Sequence, residues 1–161
     1  MNFKQIASFV KIEHTLFSLP FVLIGYLIAY DQFQSELPDT GYGWLRIDLL
    51  WILLAAVAAR GLAMTLNRII DQDIDAANPR TAERHLASGT MSLSTAWWLA
   101  ALFLVMLLFG AGMLNTVALM MSWLPVLTFV IYPYMKRFTW LCHLWLGLCL
   151  GLAPAGAWVA I

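Results

Sequence analysis

The chain has 161 residues, of which 62% are hydrophobic and 11% charged, far below the roughly one-quarter charged content of a soluble domain. That composition takes a bilayer as its solvent and excludes an ordinary water-soluble domain. The formal net charge is zero, with neither a basic excess nor an acidic tail, which sets aside nucleic acid and charge-driven partners.

Apolar runs lie at about 16–30, 49–66, 93–113, 117–134 and 140–161. With flanking residues each reaches the roughly 20 residues that a membrane-spanning helix needs. Backbone in hydrocarbon must satisfy its own hydrogen bonds, and these runs do not alternate as barrel strands do. The expected fold class is therefore all-α integral membrane, with about five transmembrane helices over about 9–30, 49–75, 93–113, 117–134 and 140–161.

The first of these follows Lys4, Lys11, Glu13 and His14 without a small-residue cleavage site, so it reads as a retained helix and not a removable signal peptide. It is expected to extend back through Phe9 and to kink at Pro20. The connection over 31–48 carries Arg46 against Asp31, Glu36, Asp39 and Asp48.

The second helix holds the most informative pattern. Asn67, Asp71 and Asp75 are spaced by four residues in NRIIDQDID, directly after an apolar run. Two such steps drift only about 80° around a helix and climb about 12 Å, which leaves three oxygen-bearing side chains on one face. A hard cation such as Mg²⁺ takes oxygen ligands and is typically held by one or two carboxylates together with substrate phosphates. Solvated residues at a helix end are the plainer alternative, but Arg60 shares almost the same face and tips the balance toward a site. Asp73 lies about 200° from Asp71 and is expected to be a solvated neighbour. An arginine near mid-helix costs about 2.5–3.5 kcal/mol on insertion scales, so Arg60 either lines a polar cavity or snorkels; the shared face favours the cavity.

A loop over 76–92 follows, with NPRTAERHLASG at 78–89: Pro79 turns the chain, Arg80, Arg84 and His85 make it basic, and Gly89 closes it. It suits either a solvated topogenic loop or one that orders over an anion through Arg84 or Arg80. After the fourth helix, YPYMKRFT places Lys136 and Arg137 one turn past Tyr132 and Pro133, and a lysine suits a diphosphate as a point charge. Cys142 and Cys149 lie seven apart on one face of the fifth helix, with too few thiols or histidines nearby for a metal site, and read as packing residues. Trp44, Trp51, Trp97, Trp98 and Trp140 fall near expected membrane boundaries and read as an interfacial belt.

Lys4 and Lys11, Arg80 and Arg84, and Lys136 and Arg137 fall in alternate connections, while 31–48 is acidic and 114–116 uncharged. The positive-inside rule then puts the amino terminus and the Asn67/Asp71/Asp75 face on the cytoplasmic side of a membrane that the chain crosses several times. The sequence stops inside an apolar run, and no Asp or Glu follows Glu83, so a truncated protein is expected.

Taken together these blocks resemble the UbiA family of intramembrane prenyltransferases, and most of all its 4-hydroxybenzoate polyprenyltransferase branch. NxxxDxxxD is met by Asn67, Asp71 and Asp75, RTxxR…G by Arg80, Thr81, Arg84 and Gly89, and YPxxKR by Tyr132, Pro133, Lys136 and Arg137; VKIEHTLFSLPF is similar to the family's first helix. Arg68 stands where many members have Asp, and His85-Leu86 where many have Pro-Leu; neither removes a metal ligand. The resemblance implies a partial prenyltransferase domain over 1–161, the first half of a bundle of about nine helices whose second acidic motif, DxxxD, is absent here. It implies Mg²⁺-dependent transfer of a polyprenyl group from its diphosphate to an aromatic acid in ubiquinone or related quinone biosynthesis. In that reading Asn67, Asp71 and Asp75 hold the metal; Lys136, Arg137, Arg84, Arg80, Arg60 and Tyr132 face the diphosphate. The alternatives are a menaquinone- or haem-pathway prenyltransferase, a membrane transporter, and a fragment inactive by itself.

Overall fold

A computed structural model describes residues 3–37 and 46–161. Among them the secondary structure is helical: α1 (Phe3–Phe9), α2 (Ile12–Phe33), α3 (Ile47–Ile70), α4 (Gln72–Ala77), α5 (Leu93–Leu114), α6 (Thr116–Met121), α7 (Trp123–Phe138) and α8 (Cys142–Val159). Five stretches are long and apolar enough to cross a membrane: Leu16–Phe33, Ile47–Ile70, Leu93–Leu114, Thr116–Phe138 and Cys142–Val159. Trp44 and Asp39, and the Lys4, Glu13 and His14 side chains, on which parts of the belt, signal-peptide and topology readings rest, lie outside the described residues.

Helix boundaries differ from expectation at three places, in two of which the backbone leaves helical geometry without help from glycine or proline. The first span does not run back through Phe9. Lys11 takes a left-handed conformation (φ 52°) and separates the short α1 from α2. The second span ends at Ile70, because Asp71 (φ −96°, ψ 6°) leaves helical geometry before α4 resumes. The fourth is broken at Ser122, which keeps helical angles (φ −62°, ψ −18°) and whose hydroxyl donates back to the Leu119 carbonyl at 2.7 Å; Pro125, three residues on, has no amide to continue the ladder.

α3 packs on α5 and α7, and α2 on α8. Lipid tails are as apolar as leucine, so close backbone approach and dispersion must hold such helices together, which favours small residues at the contacts. Gly110 of α5 seats against Ala55 and the Trp51 carbonyl of α3, and Gly61 of α3 sits under the Phe103 ring. At Gly25 of α2 a Cβ would stand 2.3 Å from the Pro154 carbonyl oxygen of α8, so only glycine fits. Asn115 ties a second corner: its side chain accepts from the Ala118 amide at 2.7 Å and donates to the Val159 carbonyl at 2.9 Å.

The connection after α4 is a string of turns anchored at both ends. Leu86 and Met91 are buried with Phe9 and Val10 against Ala96 and Leu99. Thr81, also buried, donates to the Asp75 carbonyl at 3.0 Å. Gly89, at φ 73°, closes the loop in a conformation other residues rarely adopt.

Candidate functional site

The end of α3, the loop after α4 and the end of α7 meet at one end of the bundle. Asp71 and Asp75 keep the four-residue stagger across the break between α3 and α4: the Asp71 amide donates to the Asn67 carbonyl at 3.1 Å, and the Asp75 amide to the Asp71 carbonyl at 2.8 Å. Both carboxylates are buried, Asp71 at 1% exposure and Asp75 at 6%. A buried charge needs partners, and each has them. Lys136 Nζ donates to Asp71 Oδ2, and Arg137 Nη2 to Asp71 Oδ1 at 3.1 Å. Arg84 Nη1 reaches both oxygens of Asp75, at 2.8 and 2.7 Å. Arg137 also donates to the Ile70 carbonyl at 2.8 Å, one of the acceptors left open at the end of α3, and its guanidinium lies 5.1 Å from the Tyr134 ring centroid.

From this cluster a cavity of about 560 Å³ runs into the bundle. Its polar wall carries Asn67, Arg84, Tyr132, Lys136 and, two turns deeper along α3, Arg60. The rest is apolar and largely small, with Ala55, Ala59 and Ala63 of α3 at steps of four. Asp71 and Asp75 are not among its lining residues, so the basic side chains stand between the carboxylates and the cavity. Arg60 Nε is buried without a hydrogen-bond partner. It lines the cavity, as its face along α3 suggests.

One expected member stands apart: Arg80 is exposed, and its backbone amide donates to Asn78 Oδ1 at 3.0 Å. Asp73, expected outside the site, is exposed, as a solvated neighbour should be. Arg68, outside the set of residues expected at the site, is 8% exposed, with Nη1 lacking a partner. It precedes Asp71 by three positions and Asp75 by seven, the spacing of one helix face, so its position carried the signal. Cys149 also lines the cavity and donates weakly to the Thr128 carbonyl at 3.8 Å, while Trp145 Nε1 donates to the same carbonyl at 3.0 Å.

Among the described residues no three His, Cys, Asp or Glu side chains converge as a metal site. Two carboxylates and an amide nevertheless match what Mg²⁺ asks of a protein when water and substrate phosphate complete its shell. The donor set fits, and the surrounding lysine and arginines fit the phosphate.

The sequence pattern of the UbiA prenyltransferase family matches residues 18–161. A 4-hydroxybenzoate octaprenyltransferase of Pasteurella multocida (strain Pm70) is 35% identical over 99 residues, covering 62% of this chain and 34% of that protein. One from Francisella tularensis subsp. novicida (strain U112) is 28% identical over 163 residues, covering 100% of this chain and 55% of that protein. The chain thus spans about half the length, or less, of these curated relatives. The apo structure of a UbiA homolog from Aeropyrum pernix K1 superposes with a TM-score of 0.80 at 40% identity, covering 92% of this chain and 50% of that one. The structure of a digeranylgeranylglyceryl phosphate synthase gives the same TM-score, 0.80, at 20% identity, a likeness of fold alone.

Proposed function

The chain belongs to the UbiA prenyltransferase family, and from that premise we propose that it serves the transfer of a polyprenyl group from its diphosphate to an aromatic acid, with 4-hydroxybenzoate as the acceptor. The observation that carries the reading is the meeting of two buried carboxylates with Lys136, Arg137 and Arg84 at the mouth of an apolar cavity.

In this reading Asn67, Asp71 and Asp75 hold Mg²⁺, which when bound offsets the negative charge that grows on the diphosphate. Lys136, Arg84 and Arg137 supply fixed positive charge to the same leaving group as its carbon–oxygen bond ionises, the kind of preorganised stabilisation that contributes most in a site shielded from water. Arg80, at the exposed rim of the loop, adds charge that draws the anion in. The allylic carbon so released is attacked by the ring carbon ortho to the phenol, and the ring proton is then lost. Apolar walls keep water from the cation, and the alanine-lined stretch of α3 gives the prenyl chain room. Tyr132 and Arg60, farther along the polar wall, face substrate oxygens.

The protein is a multi-pass membrane protein; the cytoplasmic side of the inner membrane is the side we assign to the site, from Arg84, Lys136 and Arg137 at one end of the bundle. Ubiquinone biosynthesis is the pathway this acceptor implies. Membranes carrying the chain within a bundle of its relatives' full length, given Mg²⁺, a polyprenyl diphosphate and 4-hydroxybenzoate, should form the prenylated acid. Product with a different aromatic acid only would move the acceptor; no product with any would overturn the reading.

A further inference from the structure

The geometry points to a self-locked clamp: Lys136, Arg137 and Arg84 engage all four carboxylate oxygens of Asp71 and Asp75, so a divalent cation competes with these bases for the carboxylates until a diphosphate draws the basic side chains away. This rests on the proposed metal–diphosphate site and adds how its two ligands depend on one another.

Burial sets the asymmetry. The Asp71 and Asp75 side chains are 1% and 9% exposed, whereas Lys136, Arg137 and Arg84 are 32%, 28% and 35% exposed. The acids are fixed within the bundle, and the bases lie at the rim on long side chains with room to swing. Lys136 and Arg84 line the cavity that the acids do not reach. A metal arriving alone must therefore displace cations from buried partners and leave those cations without a counter-ion, which is costly. A diphosphate offers the displaced ammonium and guanidinium groups stronger, charge-assisted acceptors, and its own oxygens help complete the shell of a metal. Anion binding and release of the carboxylates are then one event. Arg68 adds to the bias: buried, partly unpartnered and on the same face, it leaves the cluster with more positive than negative charge until an anion arrives.

The test counts protein-bound Mn²⁺ by electron paramagnetic resonance at fixed free Mn²⁺, with and without inorganic pyrophosphate, on the detergent-solubilised full chain. Linkage of the usual size predicts that pyrophosphate tightens Mn²⁺ binding by about tenfold or more. A metal bridged by pyrophosphate gives such coupling even without a lock, so the variants decide. Arg84→Gln and Lys136→Met should each tighten Mn²⁺ binding several-fold in the absence of anion and shrink the enhancement by pyrophosphate. Arg46→Gln removes a cation that pairs with Asp48 at the other end of α3 from the site and should leave anion-free Mn²⁺ affinity where it is. Unchanged or weaker anion-free binding in the first two variants overturns the lock, as does equal tightening by Arg46→Gln, which would mark a diffuse charge effect. Wild-type protein that binds Mn²⁺ equally well with and without pyrophosphate overturns it even if no variant folds. Failure of Mn²⁺ to bind under any condition overturns the underlying site.

Discussion

Asp71 has almost no contact with solvent, yet two cations converge on it, Lys136 and Arg137, which lie 65 and 66 positions away in sequence. A carboxylate so placed is costly unless paired, and its pairing is a tertiary event that no local pattern announces. What could be read locally was the stagger of Asn67, Asp71 and Asp75, because the i to i+4 backbone bonds survive the break at Asp71. The basic residues were legible as candidates; which acid each would meet was not. At this scale, Asp71→Asn and Asp75→Asn should each lower prenyl transfer by an enzyme of the relatives' full length by at least about tenfold, each having lost a charged ligand for the metal. Product formation per unit of folded enzyme measures this, and near-wild-type turnover in both variants would remove these residues from the site. Thr81→Val should cost about 1 kcal/mol of stability, the usual net worth of one hydrogen bond, by leaving the Asp75 carbonyl with only its longer bond from the Asn78 amide. Thermal unfolding in detergent reads that loss.

The spans themselves were the most legible elements, since the length and continuity of apolar runs follow directly from bilayer thickness. The interruptions at Lys11 and Asp71 were not, because neither residue carries a breaker signature and their backbone angles answer to the packing of the folded chain; the one at Ser122 has a local cue in Pro125 three residues on. Small residues at crossings are likewise mute in sequence until the partner helix is known. Gly25 is the sharpest case, and Gly25→Leu should force α2 away from α8, at a cost above the about 1–3 kcal/mol usual for overpacking, because the obstructing atoms are backbone. A fall in detergent melting temperature with restored stability in no other α2 position would be the expected pattern; an unchanged melting temperature would contradict the close approach. In the loop, Leu86→Ala empties a buried anchor and should raise amide exchange across 80–90, loosening the segment that carries Arg84. Unaltered protection there would mean that the turns hold Arg84 without Leu86.

Across the whole molecule, the polar cluster closes one end of a cavity whose remaining walls are apolar, so the bundle separates a charged head from a hydrocarbon tail along one axis. Composition foretold the apolar walls but not the enclosed space, which arises from how α2, α3, α5, α7 and α8 lean on one another. Ala59→Phe should narrow that space. A polyprenyl diphosphate should then need about tenfold more substrate for half-maximal rate, while inorganic pyrophosphate competes as before. Equal effects on both ligands would place the chain elsewhere. The claim on which the functional account turns is that Asp71 and Asp75 bring a metal ion against the diphosphate. Pulsed electron–nuclear double resonance on Mn²⁺-loaded protein with a polyprenyl diphosphate tests it most directly. The account predicts a ³¹P hyperfine coupling in the wild-type protein that disappears in the Asp71→Asn/Asp75→Asn double variant; the same protein-bound coupling persisting in that variant would contradict it.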